Sequence, residues 1–297
     1  MLSNMLYDTI CIAVGAGQIS RNIFQEYSST NASSYFIKDD ASPITKADIQ
    51  SNSYIMENLS TLYNYEICSE EAILEYARRK NLESYWLIDP LDGTKDFIAG
   101  IGEWTINIAL VHRNEILLGV VYAPCVGELY FASKNQGSFL IDMAKLFSNM
   151  NNINELNPTE IRLDRQLLVD SSIRLHGGQK NKTSKIIACS SRFHNNNLSS
   201  EFIAKYDADI LLLGSSLKIC ALASGKADIY PRFNGTKEWD IAASDIILRE
   251  SGGIIIDYET KKPPMYNKET ISNNYFVAFS STQIGGVIYQ DILSGLS

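Results

Sequence analysis

The segment Trp86-Leu87-Ile88-Asp89-Pro90-Leu91-Asp92-Gly93-Thr94-Lys95-Asp96-Phe97 constrains this chain more than any other. It demands an apolar strand, a stiff turn and a helix start in immediate succession. The strand delivers two carboxylates, Asp89 and Asp92, while Pro90 stiffens the turn and Gly93 permits close backbone approach. A helix beginning near Thr94 would aim free N–H groups and the positive end of its dipole at an anion, making Gly93 and Thr94 candidate phosphate contacts. Carboxylates beside an anion make sense only with a cation between them, and oxygen ligands without His or Cys suit Mg²⁺ rather than zinc. Taken alone, the hexapeptide from Asp89 to Thr94 also fits an ordinary acidic turn, since Asp, Pro and Gly are turn residues.

Around this segment the periodicity divides the chain. Helical spacing covers residues 9–27, 46–62 and 70–80; strand spacing then covers 85–88, 105–112, 116–122, 128–132 and 138–142. Short turns such as Arg113-Asn114-Glu115 predict antiparallel neighbours. The Asn-rich stretch 147–158 reads as a loop and the domain boundary. Beyond it come a strand at 186–190, a helix at 199–206, a short buried strand at 210–213 and a helix at 215–224 ended by Gly225. A strand at 227–231, a helix at 240–250 stopped by Gly252-Gly253, and a strand at 254–258 follow. The expectation is an α+β metal-binding domain over residues 1–158 and an α/β substrate-recognition domain over 159–297, each with helices covering a sheet.

Charge narrows the partners. With 26 Lys and Arg against 34 Asp and Glu, the net charge of −8 disfavours nucleic-acid binding, and an anionic ligand needs local cations or aimed N–H groups. The five cysteines are odd in number, widely spaced and never Cys-x-x-Cys, which reads as reduced thiols of a cytoplasmic protein. The first basic residue is Arg21, so a charged signal-peptide start is lacking, and the longest apolar stretch, 105–124, is cut by His112-Arg113-Asn114-Glu115. No membrane association is expected.

Further carboxylates stand at element termini: Glu70-Glu71 after Ser69, Asp48 after Thr45-Lys46-Ala47, and Asp240 after Trp239. Each alone fits a helix cap or dipole partner; together they could converge on one site. From Lys38 to Gly253 the chain resembles the inositol monophosphatase-like superfamily of Mg²⁺-dependent, lithium-sensitive phosphatases. Residues 89–97 look like its first signature, and Trp239-Asp240-Ile241-Ala242-Ala243-Ser244-Asp245 through Gly253 like its second. Ser69-Glu70-Glu71 stands where many members have Gly-Glu-Glu. The resemblance implies a layered αβαβα sandwich, with a mostly antiparallel N-terminal sheet and a mixed C-terminal one, and two or three Mg²⁺ ions. It implies that Glu70, Asp89 and the Leu91 carbonyl hold one ion, and that Asp89, Asp92 and Asp240 hold a second. Glu71 or Asp48 would stand near a third ion or a metal-bound water, and Thr94 would orient the attacking water.

Substrate choice rests on other segments. Residues 38–48, Gly214-Ser215-Ser216-Leu217-Lys218, Tyr230-Pro231-Arg232-Phe233 and Ser190-Ser191-Arg192-Phe193-His194 resemble the bisphosphate nucleotidase branch. Members of that branch remove the 3′-phosphate of 3′-phosphoadenosine 5′-phosphate; an inositol polyphosphate 1-phosphatase, or both activities together, is the alternative. The residue chemistry agrees. Gly214, Ser215 and Ser216 precede a helix and offer hydroxyls and N–H groups to an anion, Lys218 and Arg232 could neutralise a second phosphate, and His194 could meet ribose or base, with Ser191 a further candidate substrate contact. Ser215 as a plain helix cap and Lys218 as a solvated face are the competing readings. A monomer and a homodimer are both compatible.

Overall fold

The computed structural model describes residues 2–30, 35–38, 43–148, 161–177, 185–193 and 196–295. Its larger sheet has seven strands, ordered in space Glu66–Ser69, Ser84–Asp92, Thr105–His112, Glu115–Ala123, Glu128–Ser133, Gly137–Asp142 and Ile173–Arg174. The first two pair in parallel and all the others antiparallel. The second sheet has five strands, ordered Asp209–Leu212, Ile187–Ser190, Ile229–Arg232, Phe276–Phe279 and Ile254–Asp257. Phe276–Phe279 runs antiparallel to both neighbours, so this sheet is mixed.

Three helical layers alternate with the two sheets. Helices Asn4–Thr30 and Lys46–Leu62 cover the outer face of the larger sheet; Leu217–Ala223 and Glu238–Glu250 fill the space between the sheets; Asn197–Lys205 and Val287–Ser294 cover the far face of the smaller one. The αβαβα order is the expected one. With both faces of the larger sheet covered, Thr105–His112 reads as an almost continuous apolar run. Ile106, Ile108 and Leu110 point to the outer helix pair and Ala109 and Val111 to the interlayer core, the two-residue period of a strand.

Two expected elements differ. Residues 70–80 are not a helix: after Glu66–Ser69 the chain turns, with Ser69 and Ala72 exchanging backbone hydrogen bonds, and only Tyr76–Arg79 is helical. Strand Asp209–Leu212 is exposed rather than buried, because it is the edge of its sheet. Most of the boundary stretch 147–158 lies outside the described residues. On its far side, Leu163 and Leu168 pack into the core of the first helix pair, and Ile173–Arg174 adds the last strand of the larger sheet.

Candidate active site

Strand alternation aims the first carboxylate. Tyr85 and Leu87 face the interlayer core, so Asp89, two residues on, emerges toward helix Glu238–Glu250. The register then shifts between Asp89 and Asp92, a bulge that re-aims the second carboxylate. Gly93 follows with φ 94°, in the left-handed region, and the short helix Thr94–Ile98 begins. Parallel pairing of Ser69 with Ile88 sets the next residue, Glu70, beside Asp89, and the Glu70 N–H donates to the Ile88 carbonyl at 3.1 Å.

Asp48 and Asp240 arrive by one device used twice. Each is the third residue of its helix and spends one carboxylate oxygen on the helix start. Asp48 Oδ2 accepts the Thr45 N–H at 2.7 Å and hydroxyl at 2.5 Å, and Asp240 Oδ2 accepts the Lys237 N–H at 2.8 Å. The other oxygen of Asp48 accepts the Thr94 hydroxyl at 3.2 Å. For Asp48 and Asp240 the capping reading is therefore realised alongside their convergence on Thr94 and on the acidic cluster.

Glu70, Asp89, Asp92 and Asp240 influence one another's charge. Burial, and then the neighbouring carboxylates, hold Asp89 well above the usual carboxylate range. The same causes, burial first and then Asp92 and Glu70, push Asp240 up to about 8. Burial also raises Glu70, against the opposing pull of Lys38, and raises Asp48 against its bonds to Thr45. Asp89 Oδ1 accepts the Leu91 N–H at 3.1 Å, while its Oδ2 is buried with no hydrogen-bond partner. Lys38 Nζ lies 2.9 Å from Glu70 and 2.6 Å from Glu71. Among the described residues no three His, Cys, Asp or Glu side chains are already drawn into a closed cage. The donors nonetheless suit a hard divalent cation: all are oxygens, Lys38 offsets their repulsion only at Glu70, and one oxygen at the centre of the cluster is orphaned.

These groups open onto a cavity of about 370 Å³, lined on one side by Glu70, Asp89, Leu91, Asp92 and Asp240, with Gly93, Thr94 and Lys95 from the helix start. Ser191, Ser215, Ser216, Lys218, Tyr230 and Arg232 stand on the other side. Lys218 is not a solvated residue. It is buried, donates to the Leu213 carbonyl at 3.2 Å, and is pushed down to about 8, by burial first and then by Arg232. Arg232 is also buried, its Nε without a partner and its Nη2 3.5 Å from the Gly235 carbonyl. Ser215 does not cap its helix: its hydroxyl donates to Asp92 at 2.6 Å, and the Ser216 hydroxyl donates to the Asp240 carbonyl at 2.8 Å.

Three expected contacts stand off the cavity wall. Gly214 has its N–H taken by Glu103 at 2.8 Å, so it is not offered to an anion, and Asp48 and Glu71 stand behind Thr94 and Lys38. His194 lies outside the described residues. The sequence reading missed Lys38, Asp96 and Asn107. Asn107 donates to Ser216 at 3.0 Å and to Asp92 at 3.4 Å, and a lone amide within an otherwise apolar strand was its visible signal. Asp96 lines the cavity with one oxygen unpartnered, and burial lifts it to about 6 against Lys218.

Comparison with known proteins agrees with this geometry. Residues 2–290 match the inositol monophosphatase family. The chain is 32% identical over 265 residues to the 3′(2′),5′-bisphosphate nucleotidase CysQ of Salmonella typhimurium, covering 87% of this chain and 96% of that protein. It is 31% identical over 277 residues to CysQ of Escherichia coli K12, covering 91% and 98%. The structure of CysQ from Bacteroides thetaiotaomicron superposes with a TM-score of 0.75 at 33% identity, over 92% of this chain and 96% of that one. The Thermotoga maritima IMPase, at 19% identity and a TM-score of 0.72 over 99% of this chain and all of its own, shares the fold. The protein described here belongs to the inositol monophosphatase family.

Proposed function

We propose that this chain is a 3′(2′),5′-bisphosphate nucleotidase, a phosphomonoesterase that removes the 3′-phosphate of adenosine 3′,5′-bisphosphate. One observation carries the reading: two buried cations, Lys218 and Arg232, line the same cavity as the acidic cluster. A monophosphate needs only the acidic end; a bisphosphate uses both. The likeness to the CysQ bisphosphate nucleotidases supports the same choice. An inositol bisphosphate carries equivalent phosphates, but Tyr230 and Phe276 on the cavity wall favour a ligand with an apolar, aromatic face.

Glu70, Asp89 and the Leu91 carbonyl would hold one Mg²⁺, and Asp89, Asp92 and Asp240 a second, with Glu71 or Asp48 near a third. Bound Mg²⁺ supplies a Lewis acid for the phosphoryl oxygens and lowers the pKa of water. The chain supplies the rest. The Thr94 hydroxyl, fixed by its bond to Asp48, orients the attacking water and passes its proton toward that carboxylate. Main-chain N–H groups at Gly93 and Thr94 take up charge on the phosphoryl oxygens. Lys218 and Arg232 hold the phosphate that does not react. All five cysteines are free thiols and no helix among the described residues is long and apolar enough to cross a membrane, which suits a reducing cytoplasm.

Phosphate release from adenosine 3′,5′-bisphosphate and from an inositol bisphosphate, with Mg²⁺, with EDTA and with added Li⁺, tests the reading. Release is expected to need Mg²⁺, to favour the nucleotide and to fall with millimolar Li⁺. Asp92→Asn is expected to lower turnover by about 10³-fold or more. Unchanged release in EDTA, or near-normal turnover by that variant, overturns it.

A further inference from the structure

Glu103 stands just before strand Thr105–His112, next to Trp104, which is fully buried against Phe97 and Phe24. Its side chain reaches Arg192 and Gly214, in the half of the chain that builds the smaller sheet. Both of its carboxylate oxygens meet the Arg192 guanidinium, Oε2 pairing with Nη1 and Oε1 accepting from Nη2 at 3.1 Å. Oε2 also accepts the Gly214 N–H at 2.8 Å, and Arg192 Nη2 donates onward to the Leu212 carbonyl at 3.3 Å. A Cβ on Gly214 would lie 2.3 Å from the Glu103 carbonyl oxygen, so only glycine fits this approach. One ion pair thus holds residues 212–214, the link between edge strand Asp209–Leu212 and helix Leu217–Ala223, against the loop that follows the first signature.

That link carries the phosphate grip. The carbonyl of Leu213, between the two anchored residues, accepts the Lys218 ammonium at 3.2 Å. The next residue beyond Gly214 is Ser215, held at φ 51° with its hydroxyl on Asp92. We propose that Glu103 and Arg192 are positioning residues that couple the two sheets and set Lys218 for the second phosphate of a bisphosphate substrate. They touch neither the reacting phosphate nor the acidic cluster. The inference rests on the bisphosphate reading above. Its consequence is specific: loosening the pair should weaken binding of a substrate with two phosphates and spare one with a single phosphate.

The test compares adenosine 3′,5′-bisphosphate with adenosine 3′-monophosphate in steady-state kinetics of Arg192→Ala, Arg192→Lys, Glu103→Gln and Lys218→Ala. Arg192→Ala and Glu103→Gln are expected to raise KM for the bisphosphate about tenfold with kcat within about twofold, and to move KM for the monophosphate by less than about twofold. Arg192→Lys keeps a charge for Glu103 but cannot also span to Leu212, and should recover most of the loss. Arg192→Ala combined with Glu103→Gln should be no worse than either alone, the signature of a coupled pair. Equal rises in KM for both substrates, or no rise for the bisphosphate, overturn the proposal; if Arg192→Ala fails to fold, Arg192→Lys and Glu103→Gln give the same comparison. Lys218→Ala separates the two readings. Should that variant keep the wild-type preference for two phosphates, the bisphosphate reading itself fails; should it lose the preference while Arg192→Ala keeps it, only the positioning role fails.

Discussion

At the scale of single residues the site is a set of carboxylates that repel one another until a cation arrives. Folded Asp240 keeps its proton up to about 8, whereas an unfolded aspartate releases it near 4. Between those values the native state binds more protons than the unfolded one, so stability falls as pH rises through that window. The melting temperature in EDTA should therefore drop between pH 5 and pH 8, and saturating Mg²⁺ should abolish the drop; a metal-free melting temperature that climbs over this range contradicts the arrangement. Lys38 reaches both Glu70 and Glu71, so Lys38→Met should cost about 1–3 kcal/mol in EDTA, read by denaturant melts, and much less with Mg²⁺ bound. The core carboxylates were legible in sequence because each stands at an element end with its neighbours in a recognisable order. Lys38 and Glu103 were not, since their partners lie 32 and 111 residues away, distances at which local pattern says nothing; Asn107 showed only as a lone amide, with its partner Ser216 109 residues off.

Elements explain how those distant parts meet. Helix Glu238–Glu250 lies across the larger sheet at Gly119, where a Cβ would fall 2.6 Å from the Ala243 carbonyl oxygen and 2.7 Å from Ile246. Only a bare backbone lets the helix settle close enough for Asp240 to face Asp89. Gly119→Val should destabilise by about 1–3 kcal/mol through overpacking, measured by denaturant melts, and weaken Mg²⁺ affinity in calorimetry more than a surface substitution of equal cost. Most elements were legible from their period, since a strand covered on both faces or a capped helix announces itself. The exceptions have physical causes. Residues 70–80 carry helix-forming side chains, yet the backbone bonds between Ser69 and Ala72 and the Glu71 N–H donated to Ser69 Oγ hold Glu70 in a turn beside Asp89. Ile210 and Leu212 are as apolar as any core strand but form an edge, and edge position depends on the order of strands rather than on composition.

For the molecule as a whole, the interlayer core joins side chains from both halves of the chain: Tyr85, Val121 and Tyr130 pack with Cys220, Trp239 and Phe276. Because ligands from both halves assemble only in the native state, Mg²⁺ at about a hundred times its dissociation constant should add about 2.7 kcal/mol to stability, and unfolding should stay a single transition in fluorescence and circular dichroism. Two separated melts would show that the halves hold together independently. The order of the smaller sheet has a consequence for biosynthesis. Phe276–Phe279 is its last strand in sequence yet sits inside it, between Ile229–Arg232 and Ile254–Asp257. A ribosome must extrude the chain through Phe279 before that gap is filled. Until then the nascent chain carries two unpaired strand edges flanking an open slot, the stage at which a chaperone has most to protect.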